Sequence, residues 1–203
     1  MTEDNDLFPA ILACRLCADR FAATATAHSP RPVLWLQPSV RVLIAGQAPG
    51  LRVHATGRPF DDASGARLRD WLGLDEATFW DNRRIGILPM AFCFPGYDAR
   101  GADLPPPPIC AQTWRQAVLD RLTQVRLILL IGGHAQRWHL GAAATAGGVT
   151  ATVGRWRDHA PGTFPLPHPS WRNTGWLKRN PWFAAALLPE ARAQLHKVLA
   201  DDG

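Results

Sequence analysis

The sequence is poor in lysine and has no long apolar run. No apolar stretch approaches the roughly 20 residues that a membrane-spanning helix needs, so contact with a bilayer is not expected. The first residues, 1–6, are acidic rather than a basic region followed by an apolar one, which argues against a signal peptide and favours the cytoplasm. Internal repeats and long linkers are also missing, so we expect a single domain over residues 1–203.

Arginine takes the place of the missing lysine. The chain has 22 Lys and Arg residues and a net charge of +5, and only Lys178 and Lys197 are lysines. The planar guanidinium suits bidentate contacts with phosphates and stacking on bases, although a GC-rich coding bias would also exchange lysine for arginine. Between residues 155 and 182, five basic residues stand against a single acid, Asp158. Tryptophans are interleaved with them, which predicts a nucleic-acid-binding surface that includes Trp156, Trp171, Trp176 and Trp182.

Short apolar runs that end in glycine or in a loop predict buried strands. The predicted strands are 41–46, 84–88, 126–132 and a shorter one at 163–166. Helices are predicted over 7–21, 64–72, 111–122 and 182–199, with shorter ones from Asp75, over 135–140 and over 150–159. The stretches 28–40, 47–63 and 89–108 are predicted loops. Strands that alternate with helices predict an α/β fold, with three α/β/α layers around a central, mostly parallel four-stranded sheet.

Two loops follow the carboxyl ends of predicted strands and are the candidates for a working site. Gly46–Gly50 follows the first strand, and His168–Asn173 follows the last one. Ligands of open α/β sheets bind beyond the carboxyl ends of the strands, where glycine lets the backbone approach a ligand closely. Each loop alone is a weak signal, because such a glycine-rich loop is often only a tight turn and a loop histidine is often only a surface residue.

Together, in this order and about 120 residues apart, the two loops resemble the motifs of the uracil-DNA glycosylase superfamily. There, a motif such as G-E-A-P-G follows the first strand and a motif that begins H-P-S follows the last one. Gly57–Phe60 and Ser64–Leu68 look like the G-x-P-F and A-G-x-x-L blocks of the iron–sulfur class, family 4. The second loop, with Arg172 and Asn173, looks closer to the H-P-S-P-R-N of the single-strand-selective class, family 3. The resemblance covers almost the whole chain.

The four cysteines allow two interpretations. In a cytoplasmic protein disulfides are not expected, so the thiols are either small core residues or metal ligands. Their layout is a Cys-x-x-Cys pair near the amino terminus, a third cysteine after the second strand and a fourth some 15 residues later, as in the iron–sulfur class. The resemblance therefore implies a structural [4Fe–4S] cluster, because four thiolates are its usual ligand set. Its ligands would be Cys14, Cys17, Cys93 and Cys110.

The resemblance also implies roles in the release of a base extruded from DNA. His168 would donate to a base oxygen as negative charge builds up on the departing base, and Phe60 would stack on the base. Gly46 and Ala48 would line the base site, with the backbone N–H groups around Gln47 and Ala48 as further donors. Trp171 would fill the gap in the stack, unless it packs against Trp176. The DNA-binding residues would be Ser170, Trp171, Arg172, Asn173, Lys178 and Arg179.

The sequence departs from the family 4 pattern at two positions. Gln47 stands where family 4 has a glutamate; an amide can hold a water molecule but cannot act as a base. The acid beside the sugar is then expected to be Asp61, which directly follows Phe60, with His54 and Asp62 as alternatives. Pro89 stands where family 4 has the asparagine that reads the pairing edge of the base, a contact that proline cannot make.

Three functions remain open at this point. The first is a monofunctional, monomeric DNA glycosylase for uracil or another deaminated base, without an obligate protein partner. The second is a DNA-binding protein of the same fold that has lost catalysis with Gln47 and Pro89 and recognises uracil or abasic DNA. The third is a nucleotide-binding enzyme that uses Gly132–His134, although this strand end lacks the other glycines and the lysine of a phosphate-binding loop.

Overall fold

A computed structural model describes residues 7–201. Its centre is a sheet of four strands, β1 (Val42–Ala45), β2 (Ile85–Ile87), β3 (Leu127–Ile131) and β4 (Thr163–Leu166). The spatial order is β2-β1-β3-β4, and every neighbouring pair is parallel. The four predicted strands are confirmed, and the sheet is parallel throughout.

Helices cover both faces of this sheet. In chain order they are α1 (Leu7–Leu12), α2 (Ala18–Ala22), α3 (Leu51–Thr56), α4 (Ala63–Leu72), α5 (Glu76–Phe79), α6 (Pro108–Cys110), α7 (Gln116–Arg121), α8 (Gly133–Ala144), α9 (Gly148–Gly154), α10 (Thr174–Arg179) and α11 (Leu188–Ala200). A π-helical turn, Ala111–Arg115, joins α6 to α7, and another, Phe183–Leu187, leads into α11. The result is the predicted three-layer α/β/α fold.

The two faces of the sheet carry different parts of the core. Side chains alternate along a strand, so Val42 and Ile44 of β1 point to one face and Leu43 to the other. On the first face they pack with side chains of α4 and α11, and on the other with those of α1 and α7. All four residues of β1 are buried, as expected for a central strand of a parallel sheet.

Several predicted element boundaries are wrong. The helix predicted over 7–21 is two short helices, and Cys14 and Cys17 lie at the turn between them rather than on a helix. The predicted loop 47–63 contains α3, and the stretch after His168 contains α10. Helix α4 begins at Ala63, one residue before the predicted start, because Asp62 caps it by accepting from the backbone N–H of Gly65.

Within residues 7–201, none of the helices combines the length and the apolar character that crossing a bilayer requires.

Candidate active site

The first loop leaves the carboxyl end of β1 and is held by the segment that follows β2. The backbone N–H of Met90 donates to the carbonyl of Gly46 at 2.9 Å, and that of Ala91 donates to the carbonyl of Gln47 at 3.1 Å. Among residues 7–201, no acceptor takes a hydrogen bond from the backbone N–H of Gln47 or Ala48. The loop is thus fixed through its carbonyls, and two of its donors remain for a ligand.

Phe60 stands beside this loop in a backbone conformation that few side chains adopt. Its φ of 56° lies in the left-handed region. The cause is the close approach of α4, since a Cβ added at Gly65 would lie 1.8 Å from the carbonyl oxygen of Phe60. The ring contacts Phe79 edge to face at 6.1 Å between centroids, and a Cβ at Gly46 would lie 3.6 Å from its Cζ atom. Phe60 is therefore held as a rigid wall beside the first loop.

The second loop determines which nitrogen of His168 carries the proton. The backbone N–H of Ser170 donates to Nδ1 of His168 at 3.2 Å, so Nδ1 is unprotonated and the hydrogen lies on Nε2. Burial lowers the pKa of His168, whereas the nearby carboxylates of Asp62 and Asp103 act in the opposite direction. The ring is therefore neutral at pH 7 and offers Nε2–H as a hydrogen-bond donor.

Three side chains brace this loop, and two of them, Arg67 and Gln136, were not predicted from the sequence. The amide of Asn173 donates to the carbonyl of His168 at 2.7 Å, so it shapes the loop from within. Arg67 of α4 donates to the carbonyl of Ser170 at 2.9 Å. Gln136 of α8, which is 1% exposed, donates to the carbonyl of Leu166 at the end of β4. The bonds of Gln136 and Arg67 run over 30 and 103 residues of sequence, and a local pattern does not reveal them.

Both loops and the Phe60 wall line one cavity of about 590 Å³. Its volume is in the range of small-molecule sites. The convergence of the Gln47 turn and the His168 turn, which the sequence analysis required, is present. Nine predicted site residues line the cavity: Gly46, Gln47, Ala48, Phe60, His168, Ser170, Trp171, Arg172 and Asn173. Lys178 and Arg179 lie outside it, exposed in the last turn of α10.

The prediction for Asp61 needs correction. Asp61 is not among the residues that line the cavity; its carboxylate lies 3.7 Å from the guanidinium of Arg52. The carboxylates on the cavity side belong to Asp62 and Asp103. The left-handed backbone at Phe60 turns the chain at this point, and the sequence alone did not reveal that turn. His54 does not line the cavity either.

The predicted aromatic surface is wrong for Trp156, which is 3% exposed and stacks on Phe164. Trp176 and Trp182 are partly exposed and contact each other edge to face beside the core. Trp171 is 72% exposed and lies at the cavity, with the Arg172 guanidinium 5.9 Å from its ring. The alternative in which Trp171 packs against Trp176 is therefore not found, and Trp171 is the most exposed of the four tryptophans.

Proline forms part of the cavity wall. Pro89 lines it at the position where the resemblance places a base-reading asparagine, and Pro59 and Pro95 contribute further apolar surface. The carbonyl of Pro59 is held by the indole N–H of Trp80 at 2.9 Å. The wall is therefore rigid and apolar, and side-chain hydrogen bonds to a base would come from the His168 and Gln47 side. Gly132–His134, the basis of the nucleotide-binding hypothesis, does not line this cavity.

The four cysteines line a second, apolar pocket on the far side of the segment 89–93. They come from three parts of the chain: the α1–α2 turn, the loop after β2 and the end of α6. The backbone N–H of Phe92 donates to the sulfur of Cys110 at 3.4 Å, and the backbone N–H of Arg31 acts to lower the pKa of Cys93. Hydrogen bonds of this kind accompany the sulfur ligands of iron–sulfur clusters.

Burial and the neighbouring thiols raise the pKa of Cys17, Cys93 and Cys110. The pKa of Cys93 is raised to about 12 and that of Cys110 to about 11, mainly by burial, with the neighbouring thiols adding to the shift. Within residues 7–201, no group of three or more His, Cys, Asp or Glu side chains is close enough to hold one metal ion. A four-iron cluster does not need that closeness, because each thiolate binds a different iron. The convergence and the N–H donors therefore fit such a cluster.

The two loops at the carboxyl ends of β1 and β4 place the cavity where ligands of open, parallel α/β sheets bind. The family model for the uracil DNA glycosylase superfamily matches residues 35–192. The chain belongs to the uracil DNA glycosylase superfamily. The match is to the superfamily as a whole and begins after Cys14 and Cys17.

Proposed function

We propose that this protein is a DNA N-glycosylase that hydrolyses the bond between deoxyribose and uracil, or another deaminated base, after the base has left the stack. One observation carries the proposal: a neutral His168, with its proton on Nε2, shares a cavity with the free N–H groups of Gln47 and Ala48 and with the ring of Phe60. Membership of the superfamily supports the same activity in general.

The chemistry follows from the charges that bond cleavage creates. As the glycosidic bond lengthens, the base becomes negative and the sugar becomes positive. Donors that are already aimed at a base oxygen stabilise the first charge without reorganisation, and in our proposal these are His168 Nε2–H and the loop N–H groups. Phe60 stacks on the extruded base, which enters between the two loops.

The groups that we propose beside the positively charged sugar differ from the one expected from the sequence, which was Asp61. We propose that the amide of Gln47 orients the attacking water, and that the negative charge of Asp62 and Asp103 favours the sugar cation. Both carboxylates line the cavity and both act on the pKa of His168. Asp61, which faces Arg52, is left without a part in the chemistry.

The DNA is proposed to lie across the mouth of the cavity. Trp171 enters the vacated stack, since it is large, exposed and at the rim. Ser170 and Arg172 contact the flanking phosphates, and Lys178 and Arg179 extend this basic surface along α10. Asn173 contributes by holding the His168 carbonyl. No partner besides DNA is required, and we propose that the protein acts as a monomer.

We further propose a structural [4Fe–4S] cluster at Cys14, Cys17, Cys93 and Cys110. When bound it joins the α1–α2 turn to the loops around the base cavity, and hydrolysis draws no electron from it. Protein isolated without oxygen is expected to be yellow-brown, with absorbance near roughly 400 nm and with iron and acid-labile sulfide. A colourless protein without iron, even after anaerobic reconstitution, contradicts this part.

The function is tested with DNA that carries uracil, hypoxanthine, xanthine or mismatched thymine, single- and double-stranded. Wild-type protein is expected to release at least one of these bases as the free base and to leave an alkali-labile site. His168→Ala removes the donor and is expected to slow release by about 10²–10³-fold while binding persists. Asp61→Ala serves as the matched control and keeps activity near the wild-type rate. No release of any base at stoichiometric protein refutes the glycosylase.

A binding protein without catalysis is the second candidate, because Pro89 lines the cavity and Gln47 replaces an acid. It predicts gel-shift binding to uracil or abasic DNA with no base release in the same panel. The two candidates therefore differ in one measurement, the appearance of free base.

A further inference from the structure

Arg115 is the largest fully buried side chain of the described molecule, at 1% exposure. It lies in the π-helical turn Ala111–Arg115, where backbone hydrogen bonds span five residues instead of four. That turn begins directly after Cys110 and brings the guanidinium within electrostatic reach of the Cys110 sulfur. π turns of this kind often occur at functional sites.

The partners of Arg115 leave its charge uncompensated. Within residues 7–201 its guanidinium donates to the carbonyls of Leu88 and Pro89, at 3.2 and 2.9 Å, and to Nε2 of His139 at 2.7 Å. All three acceptors are neutral. Arginine has no lone pair to offer, so Nε2 of His139 must be the unprotonated nitrogen. A fourth position, Nε of Arg115, is buried with no described partner.

A buried cation without an anion is costly, so this arrangement calls for a negative group nearby. Burial lowers the pKa of Arg115 to about 10, which still leaves the side chain charged at pH 7. Among residues 7–201, Cys110 is the acidic group that interacts electrostatically with this guanidinium. Four thiolates that hold a metal centre would make the cysteine pocket the negative group that the buried guanidinium lacks.

We propose that Arg115 is the counter-cation of an anionic metal centre held by the four cysteines. The inference rests on the proposed cluster and adds a residue that is not a ligand. The same guanidinium holds the carbonyl of Pro89, which lines the base cavity. Arg115 is thus a positioning residue for the base cavity and an electrostatic partner of the metal centre.

The test compares four anaerobically reconstituted proteins: wild type, Arg115→Gln, Arg115→Lys and Arg137→Gln. Arg137 is exposed on α8 and serves as the control for losing one positive charge. Iron, acid-labile sulfide, the reduction midpoint of the cluster and its rate of loss in air are measured. A nearby cation favours the reduced, more negative cluster. Arg115→Gln is therefore expected to have a more negative midpoint and several-fold faster cluster loss, and Arg137→Gln to match wild type.

The conservative variant separates charge from structure. Arg115→Lys keeps the charge and loses the fork that grips two carbonyls, so its midpoint is expected to stay near that of wild type. If Arg115→Gln does not fold, this variant decides: a clear shift of its midpoint to more negative values overturns the proposal. If the midpoint and the rate of cluster loss of Arg115→Gln equal those of wild type, the proposed role of Arg115 is overturned, although the proposed cluster is not. Wild-type protein that holds no iron after reconstitution overturns the cluster and the counter-cation together, whatever the base-release assay gives.

Discussion

At the scale of single residues, one backbone N–H decides the chemistry of His168. The backbone N–H of Ser170 donates to Nδ1 of His168, so a proton on Nδ1 would place two hydrogen-bond donors opposite each other. Burial adds to this by lowering the pKa of His168 below its ordinary value of 6.5. The ring thus gains its charge at a lower pH than a solvent-exposed histidine does.

The lowered pKa of His168 predicts how the rate of base release depends on pH below neutrality. If neutral His168 is the working form, single-turnover base release should be constant from pH 8 down to about 6.5 and should fall only at lower pH, as the ring gains its proton. Rates are to be measured at saturating protein, so that DNA binding does not limit them. A rate that already falls between pH 8 and 7 would contradict the neutral-donor account.

Gly65 is the residue on which the Phe60 wall depends. A Cβ there would lie 1.8 Å from the Phe60 carbonyl, so Gly65→Ala must displace either the helix or the wall. The expected cost is about 1–3 kcal/mol in the free energy of unfolding, together with a clear loss of base release. Gly154→Ala is the control, since a Cβ at Gly154 meets nothing within 4 Å. Urea unfolding of both variants checks this, and equal stabilities would show that α4 accommodates the methyl group.

At the scale of elements, α8 and the π-turned segment before α7 meet through a pair of basic side chains. Arg115 donates to His139, which must be neutral to accept, and the pKa of His139 is lowered to about 4 by burial and by Arg115. The unfolded chain takes up this proton near pH 6.5 and the folded protein only near pH 4. The stability from this pair is therefore complete above pH 6.5 and is lost as the pH falls towards 4.

His139→Gln tests this contact, because glutamine can accept the same hydrogen bond without titrating. Protonation of His139 lowers the free energy of unfolding by at most about 3 kcal/mol between pH 6.5 and 4. The unfolding free energy of wild type should therefore drop more over this interval than that of the variant. Denaturant unfolding at both pH values gives the difference between the two drops. Parallel curves for the two proteins would show that His139 is not buried in its neutral form.

The long elements could be predicted from sequence and the short ones could not. An apolar run that ends in glycine, such as 41–46, carries enough pattern to define a buried strand. Helices α3 and α10 have six residues each, too few for a helical period, and their packing decides their conformation. The break between α1 and α2 has the same origin.

The site residues also divide into those that could be predicted from the sequence and those that could not. The loops around Gln47 and His168 could be located because glycine, proline and histidine mark them in the sequence. Asp61 and Trp156 were misplaced, because the direction of a side chain depends on packing between distant segments. Arg67 and Arg115 were missed since they donate to backbone carbonyls, and every residue offers a carbonyl.

At the scale of the whole molecule, the two pockets share one segment. Ala91 N–H donates to the Gln47 carbonyl on the cavity side, and Phe92 N–H donates to the Cys110 sulfur on the other. A change at the cysteines therefore reaches the first loop through two adjacent peptide groups. The proposed cluster would therefore be connected to the first loop of the cavity although it takes no part in the proposed hydrolysis.

The central claim is that Nε2–H of His168 donates to an extruded base. It is tested most directly by NMR of ¹⁵N-histidine-labelled protein bound to DNA in which 2′-fluorination prevents cleavage at the base that the panel identifies. The Nε2–H signal, assigned through His168→Ala, should be present in the free protein and should move downfield with the damaged DNA but not with undamaged DNA. An unchanged signal in a saturated complex, or a signal that places the proton on Nδ1, would contradict the account.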